Sequence, residues 1–208
     1  MKVNKHIYDI DKLIQDKDLV EKLFRYEDGW GGHSISLPDK SQARNYHQRG
    51  KGNKVNKPYN NILNKTLYFK EIYDSFETKI AGFRLMNRKA HSSYGVHTDE
   101  PIVGNNILRF QIPIVVNDDC WLCITDQDWH VFTTGDWWSD NSYGLEDFKE
   151  VTKNKCSCYQ QIPGNLYHFD VTQLHIVINE GNNDRVVLLI DLYKNKWLND
   201  WVEKTFYE

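Results

Sequence analysis

Two histidines and one aspartate are the residues whose types and spacing could assemble a metal site in this chain. His97 and Asp99 flank a single residue, and His175 lies far downstream. Residues two apart in a β-strand point to the same face, so His97 and Asp99 would lie side by side. Two nitrogen ligands and one oxygen ligand that leave positions open are typical of mononuclear iron(II) oxygenases. The sequence therefore predicts a three-ligand iron(II) site with His175 as the distant ligand.

A second histidine–aspartate pair competes with the first. His168 and Asp170 have the same spacing, but they lie only a few residues before His175. Such a short connection joins neighbouring strands, so His175 cannot easily serve as a distant third ligand for that pair. We therefore favour His97 and Asp99 as ligands. We expect Asp170 to orient His175 or to cap the turn, and His168 to point elsewhere.

Arg109 and Arg185 are two charged residues within otherwise apolar strand patterns. An arginine that points into a β-sandwich is costly to bury unless it meets an anion. One interpretation is an internal salt bridge, for example to Asp170 or Asp191. The other is a bound dicarboxylate, because the guanidinium fork matches carboxylate geometry. Together with an open iron site, two such arginines indicate 2-oxoglutarate, whose C1 carboxylate and keto oxygen would chelate the metal.

The elements that would position these residues are mainly β-strands, with helices at both ends. Helical periodicity predicts helices over 8–25, 66–77 and 194–206. Apolar alternation predicts seven or eight strands, over 80–86, 95–99, 106–116, 121–125, 159–162, 166–170, 175–179 and 185–193. In the third of these strands, Phe110 and Ile112 would face one side, and Arg109 and Gln111 the other. Helices followed by many short strands favour an antiparallel sandwich or jelly roll with a helical flank.

Chain length and element order favour one domain over 1–208. A helical and loop flank would occupy 1–79, the β core 80–193 and a C-terminal helix 194–208. Two polar segments, 36–60 and 126–155, interrupt the regular patterns and have no role that the sequence assigns.

Charge and hydropathy indicate which partners and which cellular location the protein is expected to have. The formal net charge is -3 and the sequence pI is about 6.2, so nucleic acid is not favoured as a partner. The locally basic segment 40–57 is interpreted as a solvated loop, although a nucleic-acid or peptide reader would also use it. No apolar leader and no apolar window long enough for a membrane span appear, so we expect a cytoplasmic protein without membrane contact. The oligomeric state is left open.

The four cysteines form a C-x-x-C and a C-x-C pattern that would suit zinc: Cys120, Cys123, Cys156 and Cys158. Residues three apart in a strand point to opposite faces, however, and Trp121 and Leu122 between the first pair indicate a strand. We therefore expect reduced thiols without metal, as is usual for a cytosolic protein.

The order and spacing of several segments resemble a known family. They are HTD, LRFQIPIVV, PGNLYHFDVTQLHIVIN and LLIDLY, with an arginine after each histidine ligand. Over 80–193 this pattern is similar to the aspartyl/asparaginyl β-hydroxylase-like family of 2-oxoglutarate oxygenases, which includes bacterial proline cis-4-hydroxylases. The resemblance implies a double-stranded β-helix (a cupin-like jelly roll) and makes the iron ligands His97, Asp99 and His175.

The same resemblance implies the cofactors and their contacts. Arg185 would bind the C5 carboxylate of 2-oxoglutarate, and Arg109 would lie near its C1 end. Gln111 stands where family members often have histidine, and it can donate a hydrogen bond but carries no charge. Iron(II), 2-oxoglutarate and O₂ are the implied cofactors, with ascorbate as an aid in vitro.

The implied reaction is hydroxylation of an unactivated C–H bond of an amino acid, either free or within a peptide or protein. The presence of Asp99 favours hydroxylation over halogenation, which needs that ligand position vacant for a halide. Trp30, His33 and Trp121 are candidate substrate contacts, although such side chains more often cover a core. The alternative from another class is a cupin-like metal-binding module or isomerase that uses the same fold without O₂ chemistry.

Overall fold

The computed structural model describes residues 1–23, 27–29, 32–36, 62–99, 106–132 and 143–207. The helices are α1 (Ile10–Leu23), α2 (Ile62–Lys65), α3 (Leu67–Asp74), α4 (Leu145–Val151) and α5 (Lys196–Phe206), with a 3₁₀ turn at Trp129–Val131. The strands are β1 (Lys2–Ile7), β2 (Glu27–Gly29), β3 (Gly32–Ser36), β4 (Ile80–Arg88), β5 (Ser92–His97), β6 (Ile107–Val115), β7 (Cys120–Thr125), β8 (Cys156–Tyr159), β9 (Asn165–His168), β10 (Leu174–Asn179) and β11 (Arg185–Tyr193).

The strands form two antiparallel sheets. The large sheet has the order β1-β9-β6-β11-β4-β3-β2, and the small sheet has the order β5-β10-β7-β8. Apolar side chains from both sheets meet between them, among them Ala81 and Ile107 from the large sheet and Leu122 and Ile124 from the small one. The eight strands from β4 to β11 thus wind between two facing sheets. The expected double-stranded β-helix, mainly β with flanking helices, is confirmed.

Strand β11 lies at the centre of the large sheet, between β4 and β6. Its alternate residues Val186, Leu188 and Ile190 belong to the core beneath the helices. Because side chains alternate along a strand, Arg185 and Asp191 point to the other face, into the space between the sheets. Both faces of the strand are covered, so every residue from Arg185 to Leu192 is buried.

The larger apolar core lies between the large sheet and the flanking helices. Strand β6 contributes Phe110, Ile112 and Ile114, as the alternation of that segment predicts. The helical side contributes the following buried residues: Leu13, Val20, Phe69, Ile72, Leu198 and Val202. The helices therefore close one face of the large sheet and leave its other face for the interior of the β-helix.

A second apolar core covers the outer face of the small sheet. Helix α4 supplies Leu145 and Phe148, which pack in one cluster with Ile176 and Ile178 of β10. Trp121 packs against the same cluster. The described part of the 126–155 insertion thus covers this sheet from outside.

The N-terminal flank differs from the expected helices and loops. Strand β1 pairs with β9, and strand β3 pairs with both β2 and β4, so three short strands extend the large sheet at its two ends. β1 and β2 are the edge strands of this sheet. All three strands are short and show little apolar alternation, so the period-two pattern does not reveal them. The polar segment 36–60 lies almost wholly outside the described residues.

The cysteines also differ from expectation. Cys123 and Cys158 form a disulfide across the paired strands β7 and β8, where the two residues are direct register partners. Cys120 and Cys156 are free thiols. The prediction of four reduced thiols is therefore wrong for one pair, because antiparallel pairing brings together two cysteines that are 35 residues apart in sequence. Within the described ranges, no helix is long and apolar enough to cross a membrane.

Truncation of a central β11 side chain should destabilise the fold. Leu188 is fully buried in the helix-covered core, and Leu188→Ala should lower the free energy of unfolding by about 2–5 kcal/mol because it leaves a cavity. The matched control is Leu67→Ala, since Leu67 is 73% exposed. Urea denaturation measures both changes. Equal effects of the two substitutions would contradict the described packing.

Candidate metal centre

His97 and His175 meet across a pair of antiparallel strands. His97 is the last residue of β5, His175 is the second residue of β10, and the two are direct register partners. Their ring centroids lie 4.2 Å apart. The neighbours of His175 on β10, Leu174 and Ile176, pack in the outer core, so His175 itself points into the β-helix.

Asp99 completes the group from just beyond the end of β5. The expectation that it shares a strand with His97 is wrong, because the strand ends at His97. The Asp99 amide instead donates to the carbonyl of Val171 at 2.9 Å, and this hydrogen bond holds the backbone at Asp99 against the segment that precedes β10. Its two carboxylate oxygens still lie beside the histidines, at 3.9 Å from His97 Nε2 and 3.5 Å from His175 Nε2.

The geometry of these three residues fits a metal ion. Their candidate ligand atoms all lie within 4.8 Å of one another. The Nδ1 atoms of His97 and His175 bond to the carbonyls of Gly95 and Gln173, at 2.7 and 2.9 Å. A carbonyl accepts only from N–H, so Nδ1 carries the proton in each ring and Nε2 is the nitrogen that would bind a metal. Ligands that each lie about 2.1 Å from one ion are at most about 4.2 Å apart, and the Asp99 oxygens lie within that distance of both Nε2 atoms.

The electrostatics of the centre keep His97 and Asp99 in the form that binds metal. Burial, reinforced by the neighbouring His175, lowers the pKa of His97 to about 3, so its imidazole is neutral. Burial alone would raise the pKa of Asp99, but the Arg109 guanidinium and His175 outweigh it and hold this pKa well below its usual range. Asp99 is therefore ionised and His97 uncharged at neutral pH.

The competing pair His168 and Asp170 lies outside this centre. His168 Nδ1 bonds to the carbonyl of Arg109 at 2.9 Å, and its ring packs beside Phe110 and Phe206 on the helical side of the large sheet. Asp170 Oδ1 accepts from the amide and hydroxyl of Thr172, at 2.9 and 2.7 Å. Asp170 thus caps the turn before β10, one of the two roles expected for it.

Arg109 is held between two carboxylates. Its Nε and Nη2 donate to Asp191 at 2.7 and 3.1 Å, and its Nη1 donates to Asp99. The internal salt bridge to Asp191, one of the two sequence interpretations, is the one found. The contact with Asp99 places Arg109 directly against a candidate metal ligand, a relationship that no local pattern indicated because Asp99 lies beyond its strand.

Arg185 has a different environment. It is 5% exposed, and its Nη2 donates to the amide oxygens of Gln111, at 3.1 Å, and of Gln161. Within the described ranges, no carboxylate pairs with it. Burial, with the charge of Arg88 nearby, lowers its pKa to about 10. Sequence reasoning anticipated Arg185 and Gln111 but missed Gln161, which reaches the site from the loop after β8.

Of the three candidate substrate contacts, Trp121 is the one whose side chain lies within the described part of the chain. Trp121 lies on the outer face of β7 and packs in the core beneath α4, so its expected contact with substrate in the metal site is not supported. The backbone of His33 lies in β3, paired with Asn87 of β4. Trp30 lies outside the described residues.

Comparison with known proteins identifies the fold and leaves the family open. No family model and no curated protein matches the sequence. Solved structures do match. One is an oxidoreductase of the 2OG-Fe(II) oxygenase family from Burkholderia pseudomallei, with TM-score 0.50 and 14% identity over 90% of this chain and 80% of that chain.

Two further structures have comparable scores. The non-heme α-ketoglutarate-dependent epimerase SnoN from nogalamycin biosynthesis has TM-score 0.51 and 8% identity over 92% of this chain and 77% of that one. EctD from S. alaskensis with bound Fe has TM-score 0.48 and 12% identity over 92% and 71%. The likenesses to the Burkholderia protein and to SnoN show a fold shared with a 2OG-Fe(II) oxygenase family member and with an α-ketoglutarate-dependent epimerase. They do not single out the aspartyl/asparaginyl β-hydroxylase-like family.

The buried neutral His97 should make the stability of the metal-free protein depend on pH. Its pKa is about 3 in the folded chain and about 6.5 when unfolded, so the unfolded state binds more protons between these values. The free energy of unfolding should therefore fall as pH is lowered from about 6.5 towards 3. Urea denaturation at several pH values, with EDTA present, measures this slope. His97→Gln should flatten it, and an unchanged slope in that variant would contradict the assignment.

Proposed function

We propose that this protein is an iron(II)- and 2-oxoglutarate-dependent oxygenase, and that it hydroxylates an amino acid, either free or within a peptide or protein. The observation that carries the proposal is the convergence of His97, Asp99 and His175 inside a double-stranded β-helix. Two imidazoles and one carboxylate would hold iron(II) on one side and leave its other side open. Bound there, iron would supply the oxidising chemistry that converts 2-oxoglutarate, O₂ and a C–H bond into succinate, CO₂ and an alcohol.

Arg185 supports 2-oxoglutarate as the co-substrate. Its buried guanidinium is met by two neutral amide oxygens, so a bound carboxylate would compensate its charge. Gln111 lies opposite Leu189 of β11. Leu189 is four residues beyond Arg185, which is about 13 Å along the strand. The two side chains therefore reach towards each other, and the guanidinium extends along the interior. A dicarboxylate with one end on Arg185 would direct its other end along that interior.

Gln111 and Gln161 would orient this carboxylate. Each amide accepts from Arg185 through its oxygen and also carries an NH₂ group that can donate to a ligand oxygen. Neutral amides leave the positive charge of Arg185 undiminished for the ligand. A histidine in the position of Gln111 would add a titratable group. We therefore expect 2-oxoglutarate binding to this protein to depend less on pH than binding to a protein with histidine there.

Apolar side chains near the metal ligands would exclude water from the reaction. Leu122, Ile124, Phe169 and Val171 form a buried cluster between the sheets. The ring of Phe169 lies 5.1 Å from that of His175, edge to face. A wall of this kind lowers the local dielectric and strengthens the contacts of Asp99 and Arg185 with bound groups. The amino-acid substrate itself is supported only by the family that the sequence resembles.

Purified protein given iron(II), ascorbate and 2-oxoglutarate should form succinate, at least slowly without substrate. His175→Ala and Asp99→Ala should reduce this to background, because each removes a metal ligand. The control is His130→Ala, an exposed histidine outside the site, which should match the unaltered protein. Succinate formation unchanged in both ligand variants would overturn the proposal. Metal binding without any turnover would favour the metal-binding module or isomerase instead.

Arg185→Gln should weaken 2-oxoglutarate binding by about 10–100-fold, since a charge-assisted hydrogen bond contributes about 1.5–3 kcal/mol. The absorption band that forms when 2-oxoglutarate joins the anaerobic iron(II) protein measures the affinity. Pyruvate lacks the second carboxylate, so both proteins should bind it equally. Lys89→Gln, at an exposed ion pair, is the control. A similar loss for pyruvate would contradict the contact assigned to Arg185.

A further inference from the structure

We infer that Asp191 is a positioning residue for the metal centre: it holds Arg109, and Arg109 in turn holds the Asp99 carboxylate. The inference rests on the proposed metal site and adds a residue that touches neither metal nor substrate. Asp191 lies on β11, is fully buried, and is the direct register partner of Arg109 on β6. Both side chains therefore enter the space between the sheets from neighbouring strands of the large sheet.

The contacts form a chain from Asp191 to Asp99. Two nitrogens of Arg109 donate to the two oxygens of Asp191, at 2.7 and 3.1 Å, in the bidentate arrangement that fixes both groups. The third nitrogen, Nη1, donates to Asp99 Oδ2. The plane of the guanidinium, set by Asp191, thus decides where Asp99 is held.

Asp99 needs such a support more than the histidines do. His97 and His175 lie on paired strands, and each ring is fixed by a hydrogen bond from Nδ1. Asp99 lies beyond β5, where its described backbone contact is the single hydrogen bond to Val171. Its carboxylate is therefore located chiefly by Arg109.

The space for Asp191 is provided by β4. Gly82 is its register partner, and a Cβ at Gly82 would lie 2.9 Å from Asp191 Oδ2 and 3.4 Å from Asp191 Cβ. Arg84, also on β4, brings Nη2 to 3.8 Å from the same oxygen. The carboxylate of Asp191 is thus confined by β4 on one side, in the position where it accepts hydrogen bonds from Arg109 of β6 on the other.

The charge of Asp191 also matters for the metal. Arg109 shares its positive charge between two carboxylates, so it orients Asp99 without fully neutralising it. Without the Asp191 charge, the guanidinium would pair more strongly with Asp99 and compete with a metal ion for that ligand. Loss of groups that orient metal ligands typically costs 10–100-fold in metal affinity.

The test is the affinity of the full-length protein for cobalt(II), an oxygen-stable probe of the iron site, measured by calorimetry. Asp191→Asn, which keeps size and removes charge, should weaken cobalt binding by about 10–100-fold and alter the visible cobalt spectrum. Asp184→Asn is the matched control. Asp184, like Asp191, forms an ion pair, in this case with Lys89, and it accepts from the backbone amide of Ala90. It lies at the hairpin turn before β11, away from the metal centre, so its substitution should leave the cobalt affinity unchanged.

Gly82→Ala provides a second variant that changes no charge. The added methyl group would displace only the end of the Asp191 side chain, so it should weaken cobalt binding in the same direction and by less. Circular dichroism establishes that each variant is folded. Folded Asp191→Asn and Gly82→Ala proteins with unchanged cobalt affinity would overturn this inference alone. Failure of the unaltered protein to bind cobalt(II) or iron(II) would overturn the proposed function as well.

Discussion

The register between β5 and β10 is the constraint on which the metal centre depends. It places His175 directly opposite His97, and the continuous pairing of β10 with β7 from Leu174 to Asn179 holds the same register from the other side. A shift of one residue would turn His175 outward, into the apolar cluster around Phe148, and would bring Ile176 to the interior. The apolar side chains that pack outside therefore keep the histidine inside.

The outer faces of the two sheets contact the main apolar cores, which leaves the space between the sheets for buried charged residues. Two large apolar cores lie on the outer faces, one beneath the helices and one beneath α4. Among the described residues, the space between the sheets contains one smaller apolar cluster. It can therefore accommodate Arg109, Asp191, Asp99 and Arg185, whose burial would be costly without partners. Three of these form one ion-paired chain, whereas Arg185 is bound by amides and remains the cation best suited to an incoming anion.

Strong periodicity made much of the core predictable. Strand β11 occupies 185–193 as expected, and in β6 the apolar residues face the helices while Arg109 and Gln111 face the interior. The short strands β1 and β3 escaped prediction, because each has few apolar positions. The end of β5 was also misplaced by two residues, because the turn at Asp99 is set by a hydrogen bond to Val171, which is distant in sequence.

Residue type and spacing were sufficient to propose the three candidate ligands, because chemistry and strand periodicity are local properties. The sequence did not determine which groups bind the two arginines. Arg109 could meet an internal carboxylate or a ligand, and only strand order and register showed that it meets Asp191, 82 residues away. Gln161 reaches Arg185, and Cys123 reaches Cys158, for the same reason. Such pairings depend on how strands are arranged in three dimensions, and no local pattern contains that arrangement.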